Sequence, residues 1–199
     1  MNKIIPKSRG AATFPPPRWK QRYLVVVTSN QNKIAEINEI IGTNHKVSKL
    51  DIPEIQSLDI DEVITHKAKS AFEKIKKPVL VEDISLAIKA LNGLPGPFVK
   101  FFLQTLGTEG TVKLVGKAKT DTKVTAAIAI YDGKKLVIFN GIVYGTLSPK
   151  NRGVNGFGFD KVFVPIGYRQ TFAEMPPSLK NKISHRALAL KKVKAYLKQ

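Results

Sequence analysis

The chain reads as a mixed α/β domain, and three observations carry that reading. The first eighty-odd residues alternate short β-branched runs with helical periodicity. An Asp-Gly pair joins two longer apolar runs in the middle, and the C-terminal stretch is amphipathic with a helical repeat. At 199 residues the sequence fits one domain with ample apolar content for a core.

Taken in order, Tyr23–Ser29 (YLVVVTS) suits a buried strand, and it leads into a helix with Ile34, Ile37, Ile40 and Ile41 on one face, ending at Gly42. Val47–Pro53 predicts a second strand, stopped by its proline. Asp59, with Glu62 three residues later, marks a helix start of the capping-box type, followed by an apolar face of Ile64, Ala68, Ala71, Phe72 and Ile75. Pro78–Asp83 is a third strand, ending in two carboxylates. Gly93–Phe98 is a turn whose Pro97 suits the start of a helix through Leu106, with a shorter helix around Thr111–Val115. Two strands then pair across Asp132-Gly133. A Gly-rich loop, Gly153–Gly158, precedes the strand FDKVFVP. The last helix opens in Lys180–Arg186 and carries Leu188, Leu190, Val193, Tyr196 and Leu197.

Composition excludes several classes of function. There is no cysteine, which removes zinc ribbons, disulfide frameworks and thiol nucleophiles. No apolar run approaches the ~18–20 residues of a membrane span, and the N-terminus lacks the apolar core of a secretory signal. A cytoplasmic protein is the plain expectation. The net charge of +18 invites a nucleic-acid reading, yet it is unevenly spread. Residues 1–22 hold six cations, no acid and the run Pro15–Pro17, and read as a disordered basic extension to a single domain over 23–199. Ten of the fifteen acids lie between Glu36 and Asp83, a strip that generic polyanion binding does not need.

Three segments carry the chemistry. Thr28–Lys33 (TSNQNK) joins strand to helix through small polar residues, a junction that holds phosphate oxygens or is simply capped by Ser29 or Asn30. Lys33 in the first helical turn opposes the helix dipole. Glu82 and Asp83 are hard oxygen donors at the end of an apolar strand, and Glu54 follows the preceding one; such donors suit magnesium shared with substrate phosphates. Ser184 is placed to cap the last helix, with His185 and Arg186 in its first turn, where an anionic or carbonyl-rich ligand would offset positive charge. Phe157 and Phe159 flank Gly158, as a ring that stacks on a base or as core anchors. A P-loop is excluded: in Gly110–Ala118 the glycines are one residue too far apart, and Ala118 stands where a hydroxyl is required.

With these segments assembled, the chain resembles the inosine triphosphate pyrophosphatase family. The matching pieces are TSNQNK, IDEVITHKA, LVEDISL with GLPGPFVKFF, GFGFDKVFVP, TFAEM and KNKISHRALAL, in order from Thr28 to the last helix. The resemblance implies an elongated mixed sheet with two lobes around a central nucleotide-binding cleft, in a homodimer. It implies Mg2+-dependent hydrolysis of non-standard purine nucleoside triphosphates (ITP, dITP, XTP) to the monophosphate and pyrophosphate. By position, Thr28, Asn30, Lys33 and Lys67 match residues that bind the triphosphate. Glu54 and Asp83 match metal ligands, and Asp83 with Glu82 the catalytic carboxylates. Phe157, Phe159, Asp160, Lys180, Ser184, His185 and Arg186 match the set that binds the nucleoside. No membrane and no specific nucleic-acid partner are expected. Two positions depart from the pattern: Phe159 stands where a tryptophan is frequent, and Asp83 is followed by Ile84-Ser85. Two rival readings are a non-enzymatic nucleic-acid-binding protein, suggested by the charge, and a related pyrophosphatase for pyrimidine or other modified triphosphates.

Overall fold

The computed structural model describes residues 24–42, 45–116 and 120–198, so the extension read at 1–22 lies outside the described residues. A seven-stranded sheet in the order β2-β1-β3-β5-β6-β7, with β4 paired to β3, forms the centre. β1 (Val25–Val27) lies parallel between β2 (Lys46–Ser48) and β3 (Val79–Ile88). From β3 onward the pairing is antiparallel, through β5 (Thr122–Tyr131), β6 (Leu136–Leu147) and β7 (Phe163–Pro165). The mixed α/β expectation holds.

Helices cover both faces of the sheet. α2 (Ile60–Ile75) buries Ile64, Ala68 and Ala71 against Val79, Val81, Ala127 and Ala129. On the other face, α1 (Gln31–Ile41) and α5 (His185–Leu197) set Ile37, Leu190 and Val193 against Val26, Leu80 and Ile128. α3 (Val99–Lys113) and the seven-residue α4 (Pro177–Ile183) complete the set. Alternation along a strand explains how one sheet feeds two cores: Val79 and Val81 face α2, whereas Leu80 faces α1 and α5.

Local chemistry accounts for most element ends. Asn30 caps α1, its Oδ1 accepting from the amides of Asn32 and Lys33 at 3.0 and 3.2 Å. Asp59 caps α2, but Glu62 does not bond back to it. Instead the Ser57 hydroxyl donates to Glu62 and accepts from the Asp59 amide, a relay in place of the reciprocal bond. The hairpin turn between β5 and β6 is held by Asp132, whose carboxylate accepts from the amides of Lys134 and Lys135.

Three expectations need correction. The second strand is three residues long, and the chain beyond Ser48 runs as a loop past the open end of the sheet. By contrast, the two helices expected between Pro97 and Val115 hold: α3 consists of two helical segments meeting at Gly107, whose non-helical φ of 67° and ψ of −176° are accessible to glycine because it lacks a Cβ. Lys180 sits on its own helix, α4; α5 begins only after Ser184, whose extended backbone breaks the chain between them. Finally, β3 does not end at Asp83 but runs on to Ile88.

Candidate active site

The length of β3 explains where a site can form. β1 pairs with it only as far as Leu80, and β4 only from Leu86, whereas β5 pairs along its full length. From Val81 to Ser85 the strand therefore has a neighbour on one edge only. A cleft of about 350 Å³ opens there, between the β1–α1 junction, the loop carrying Asp51 and Glu54, α3, the Phe157–Asp160 turn and the start of α5.

Glu82 and Asp83 stand side by side in sequence, yet they do not act on the same space. Successive side chains of a strand point to opposite faces. Asp83 faces α2: its Oδ2 accepts from Lys67 Nζ at 3.2 Å, and its Oδ1 accepts from the Ile84 amide at 2.8 Å. Lys67 also donates to Glu54 at 2.6 Å and to the Glu82 carbonyl at 3.2 Å. Burial works against the Lys67 ammonium, but Asp83 and Glu54 outweigh it and raise its pKa above the ordinary lysine value. Glu54, Lys67 and Asp83 thus converge on one wall of the cleft.

Glu82 faces the other way and is 3 % exposed. Its Oε1 accepts from Arg186 Nε at 2.7 Å, and Lys33 Nζ stands 3.9 Å from its Oε2. Arg186 is itself 2 % exposed and donates through Nη1 to Glu36. Glu36 also accepts from Lys180 Nζ at 2.8 Å, and Lys180 donates at 2.6 Å to Asp160. Three cations (Lys33, Lys180, Arg186) and three carboxylates (Glu36, Glu82, Asp160) form one chain of ion pairs between β3, α1, α4 and α5. Removing one partner of such a buried pair costs about 3–5 kcal/mol, because it strands the other's charge.

Environment sets the protonation of this group. Burial alone would raise Glu36, but Arg186 and Lys180 outweigh it and hold its pKa below the usual carboxylate value. Asp160 is raised, burial outweighing the pull of Lys180. Burial lowers Lys33 in spite of Glu82 and Asp83. His185 lies well below the usual histidine value, first by burial and then through Arg186, Lys180 and Lys33. It is therefore a neutral imidazole at pH 7, which corrects the reading of two positive groups in the first turn of α5. The charge on Arg186, likewise, is balanced within the protein by Glu82 and Glu36.

Of the residues singled out from sequence, Thr28, Asn30, Lys33, Glu54, Lys67 and Asp83 line the cleft, as do Phe157, Phe159, Asp160, His185 and Arg186. Glu82, Lys180 and Ser184 do not. Glu82 and Lys180 stand behind the wall in the ion-pair chain, and Ser184 is a buried cap whose Oγ accepts from the Ala187 amide at 3.2 Å. The two aromatic rings divide their duties. Phe159 packs into the core against Phe163 and His185, whereas Phe157 is half-buried with Lys180 and Arg186 at 4.9 and 5.3 Å from its ring centre. Its amide donates to Asp160 at 2.7 Å, which fixes the turn.

Sequence reasoning missed Glu36, Asp51 and the α3 residues Lys100, Leu103 and Gln104, which face the cleft or hold its wall. A signal existed for Glu36, since it lies one helical turn after Lys33 and so shares its face. No comparable signal marked Lys100, because the helix that carries it was read without its partner wall.

With this geometry in view, comparison places the chain among known proteins. Residues 24–196 match the model of the Ham1 family. An inosine triphosphate pyrophosphatase of Schizosaccharomyces pombe is 40 % identical over 181 residues, covering 87 % of this chain and 94 % of that protein. A dITP/XTP pyrophosphatase of Hyperthermus butylicus is 35 % identical over 182 residues, covering 89 % of this chain and 96 % of that one. Among solved structures, a HAM1 protein from Coxiella burnetii superposes with a TM-score of 0.75 at 28 % identity, over 88 % of this chain and 98 % of that one. The chain belongs to the Ham1 family.

Proposed function

We propose that this protein hydrolyses non-standard purine nucleoside triphosphates (ITP, dITP, XTP) to the nucleoside monophosphate and pyrophosphate. The observation that carries the reading is the division of the cleft into two chemically distinct halves. One half presents Lys33, Lys67, Glu54 and Asp83 beside the capped start of α1, and suits phosphates and their counter-cation. The other presents the half-buried Phe157 ring and the guanidinium of Arg186, and suits a purine. Relatives named for the hydrolysis of ITP, or of dITP and XTP, support the substrate class.

The residues present fit a magnesium ion shared with substrate, though not one caged by protein alone. Among the described residues, no group of three His, Cys, Asp or Glu side chains stands close enough to hold a metal. Glu54 and Asp83 nonetheless converge on the Lys67 ammonium, so that spot already favours positive charge. The cations of the cleft are matched by its own carboxylates, and a triphosphate brings several further negative charges. A magnesium ion held by Glu54 and Asp83 would supply the missing charge and polarise the phosphate oxygens.

Within the protein, Lys33 and Lys67 stabilise charge that develops on the departing pyrophosphate. Asp83 accepts the proton of the water attacking the α-phosphorus. Its placement favours it over Glu82, whose carboxylate is committed to Arg186 and Lys33. Arg186 spends Nε on Glu82 and Nη1 on Glu36, leaving Nη2 to donate to the 6-keto oxygen of hypoxanthine or xanthine. Adenine presents an amino group there, and a buried donor left facing a donor discriminates strongly.

We further propose, from composition, that the protein is cytoplasmic and, on the resemblance, that it works as a homodimer; among the described residues no helix is long and apolar enough to cross a membrane. The function is tested by incubating the protein with magnesium and each of dITP, XTP, dATP, dGTP and dTTP. Turnover of dITP and XTP over dATP by at least tenfold, abolished by Asp83→Ala, is the expected outcome. Equal turnover of dATP would overturn the assignment.

A further inference from the structure

The end of the sheet at which β3 begins, four residues before Asp83, carries a concentration of positive charge that hydrolysis does not use. Topology brings it together. β1, β2 and β3 all begin at this end, where Val25 pairs with both Lys46 and Val79. The β5–β6 turn lies beside them, because Val79 pairs with Tyr131 and Tyr131 with Leu136. α1, α2 and α5 all start near the cleft and finish here. α2 leads straight into β3, Lys194 near the end of α5 donates to the Ile40 carbonyl of α1, and Lys135 sits over the Tyr196 ring.

The lysines at this pole are Lys46, Lys74, Lys76, Lys77, Lys134 and Lys198, all exposed, with Lys194 and Lys135 beside them. Among acids on the same segments, Asp132 accepts from the backbone amides of Lys134 and Lys135 in the turn, Glu73 is exposed, and Glu39 of α1 accepts from Asn181. Lysine at a helix C-terminus normally offsets the helix dipole, and three helices end here. Each dipole is equivalent to about half a charge, so the three together account for only about one and a half of these lysines. Several charges are left over.

The kind of partner follows from what else is present. Val47, beside Lys46, is 38 % exposed, and no large apolar side chain is exposed on segments 72–78, 131–136 or 193–198, so no apolar patch forms among the described residues of this end. A membrane-binding surface needs apolar groups to insert, and a tight protein interface needs an apolar centre; this surface offers neither. Dispersed lysines on flexible stems match a phosphodiester backbone, where each cation releases a counterion and base identity is immaterial. We propose that the pole formed by the ends of α1, α2 and α5 and the β5–β6 turn binds the backbone of nucleic acid without regard to sequence. The cleft, which opens farther along β3 at Asp83 and Ile84, stays open to nucleotides meanwhile.

The test uses the full chain and a fluorescein-labelled single-stranded 20-mer, in RNA and DNA forms, titrated from low salt upward. A variant carrying Lys74→Glu, Lys77→Glu, Lys134→Glu and Lys198→Glu is compared with the parent, and thermal unfolding confirms that both are folded. The expected result is salt-sensitive binding by the parent and a loss of about tenfold or more in the variant. The slope of log affinity against log salt should flatten by about three, at ~0.7–0.9 per phosphate contact removed. Turnover of dITP should be unchanged, and saturating dIMP should not displace the oligonucleotide. Equal binding by variant and parent would overturn the proposal, because the affinity would then reside elsewhere. Displacement by dIMP would overturn it in favour of the cleft. Binding to vesicles containing phosphatidylserine, with none to either oligonucleotide, would overturn it in favour of a membrane surface.

Discussion

Glu36 holds Arg186 and Lys180 at once, and through them it ties α1 to α5 and α4. Replacing it with glutamine leaves two buried cations with one carboxylate partner fewer. Glu36→Gln should lower stability by about 3 kcal/mol in urea titrations and raise the KM for dITP, because the guanidinium proposed to meet the base loses one of its two anchors. Stability within ~0.5 kcal/mol of the parent would show that water replaces the carboxylate without loss. His185 gives a pH prediction of defined sign. Its folded-state pKa is depressed below 6.5, so the unfolded chain binds the proton more readily. Stability is therefore complete above pH ~6.5 and falls as the pH drops below it, by up to about 1.4 kcal/mol per unit. The window of Glu36 lies lower, below the ordinary value of 4.5, so Glu36 does not contribute to the slope between about pH 7 and 5.5. His185→Gln should flatten that stretch of the profile; an unaltered slope would assign it to other groups.

At the scale of elements, the site depends on how closely α5 approaches the sheet. Gly141 of β6 permits this approach: a Cβ built there would stand 2.0 Å from the His185 carbonyl and 2.5 Å from the Ala189 amide. Neither backbone atom can yield without moving the helix start that carries His185 and Arg186. Gly141→Ala should therefore cost stability in the range of overpacked cores, about 1–3 kcal/mol or more, and reduce kcat/KM for dITP in parallel. Full activity with an unchanged melting temperature would mean that α5 is not fixed from this side. Sequence periodicity located most of these elements, since Ile34, Ile37 and Ile41 or Ile64, Ala68 and Ala71 declare a helix face by themselves. It could not show that β3 continues past Asp83, because the strand's second half is covered by β5 and β4, which are distant in sequence. That continuation is what sends Glu82 and Asp83 to opposite faces. The ion-pair chain was illegible for a similar reason: Glu36 and Arg186 are separated by 150 positions, and only the packing of α1 on α5 joins them. Thr28, Lys33, Lys67 and Asp83, by contrast, were legible because each belongs to a short motif whose spacing survives out of context.

For the whole molecule, charge is arranged by position more than by amount. The buried pairs around the cleft cancel, so much of the +18 excess is available on the surface and in residues 1–22. In the proposed function, a divalent cation supplies the attraction for a triphosphate that a cleft balanced in this way lacks. Removing magnesium with EDTA should therefore abolish turnover of dITP and weaken triphosphate binding more than monophosphate binding, as measured by calorimetry. Metal-independent turnover would contradict the assignment of Glu54 and Asp83 as its ligands. The account as a whole rests on water attacking the α-phosphorus of a 6-keto purine nucleotide held between Lys67, Asp83 and Arg186. Turnover of dITP in 18O-labelled water, with both products read by mass spectrometry, tests this most directly. One label in dIMP and none in pyrophosphate is the expected result; label in the pyrophosphate, or release of orthophosphate, would contradict attack at the α-phosphorus.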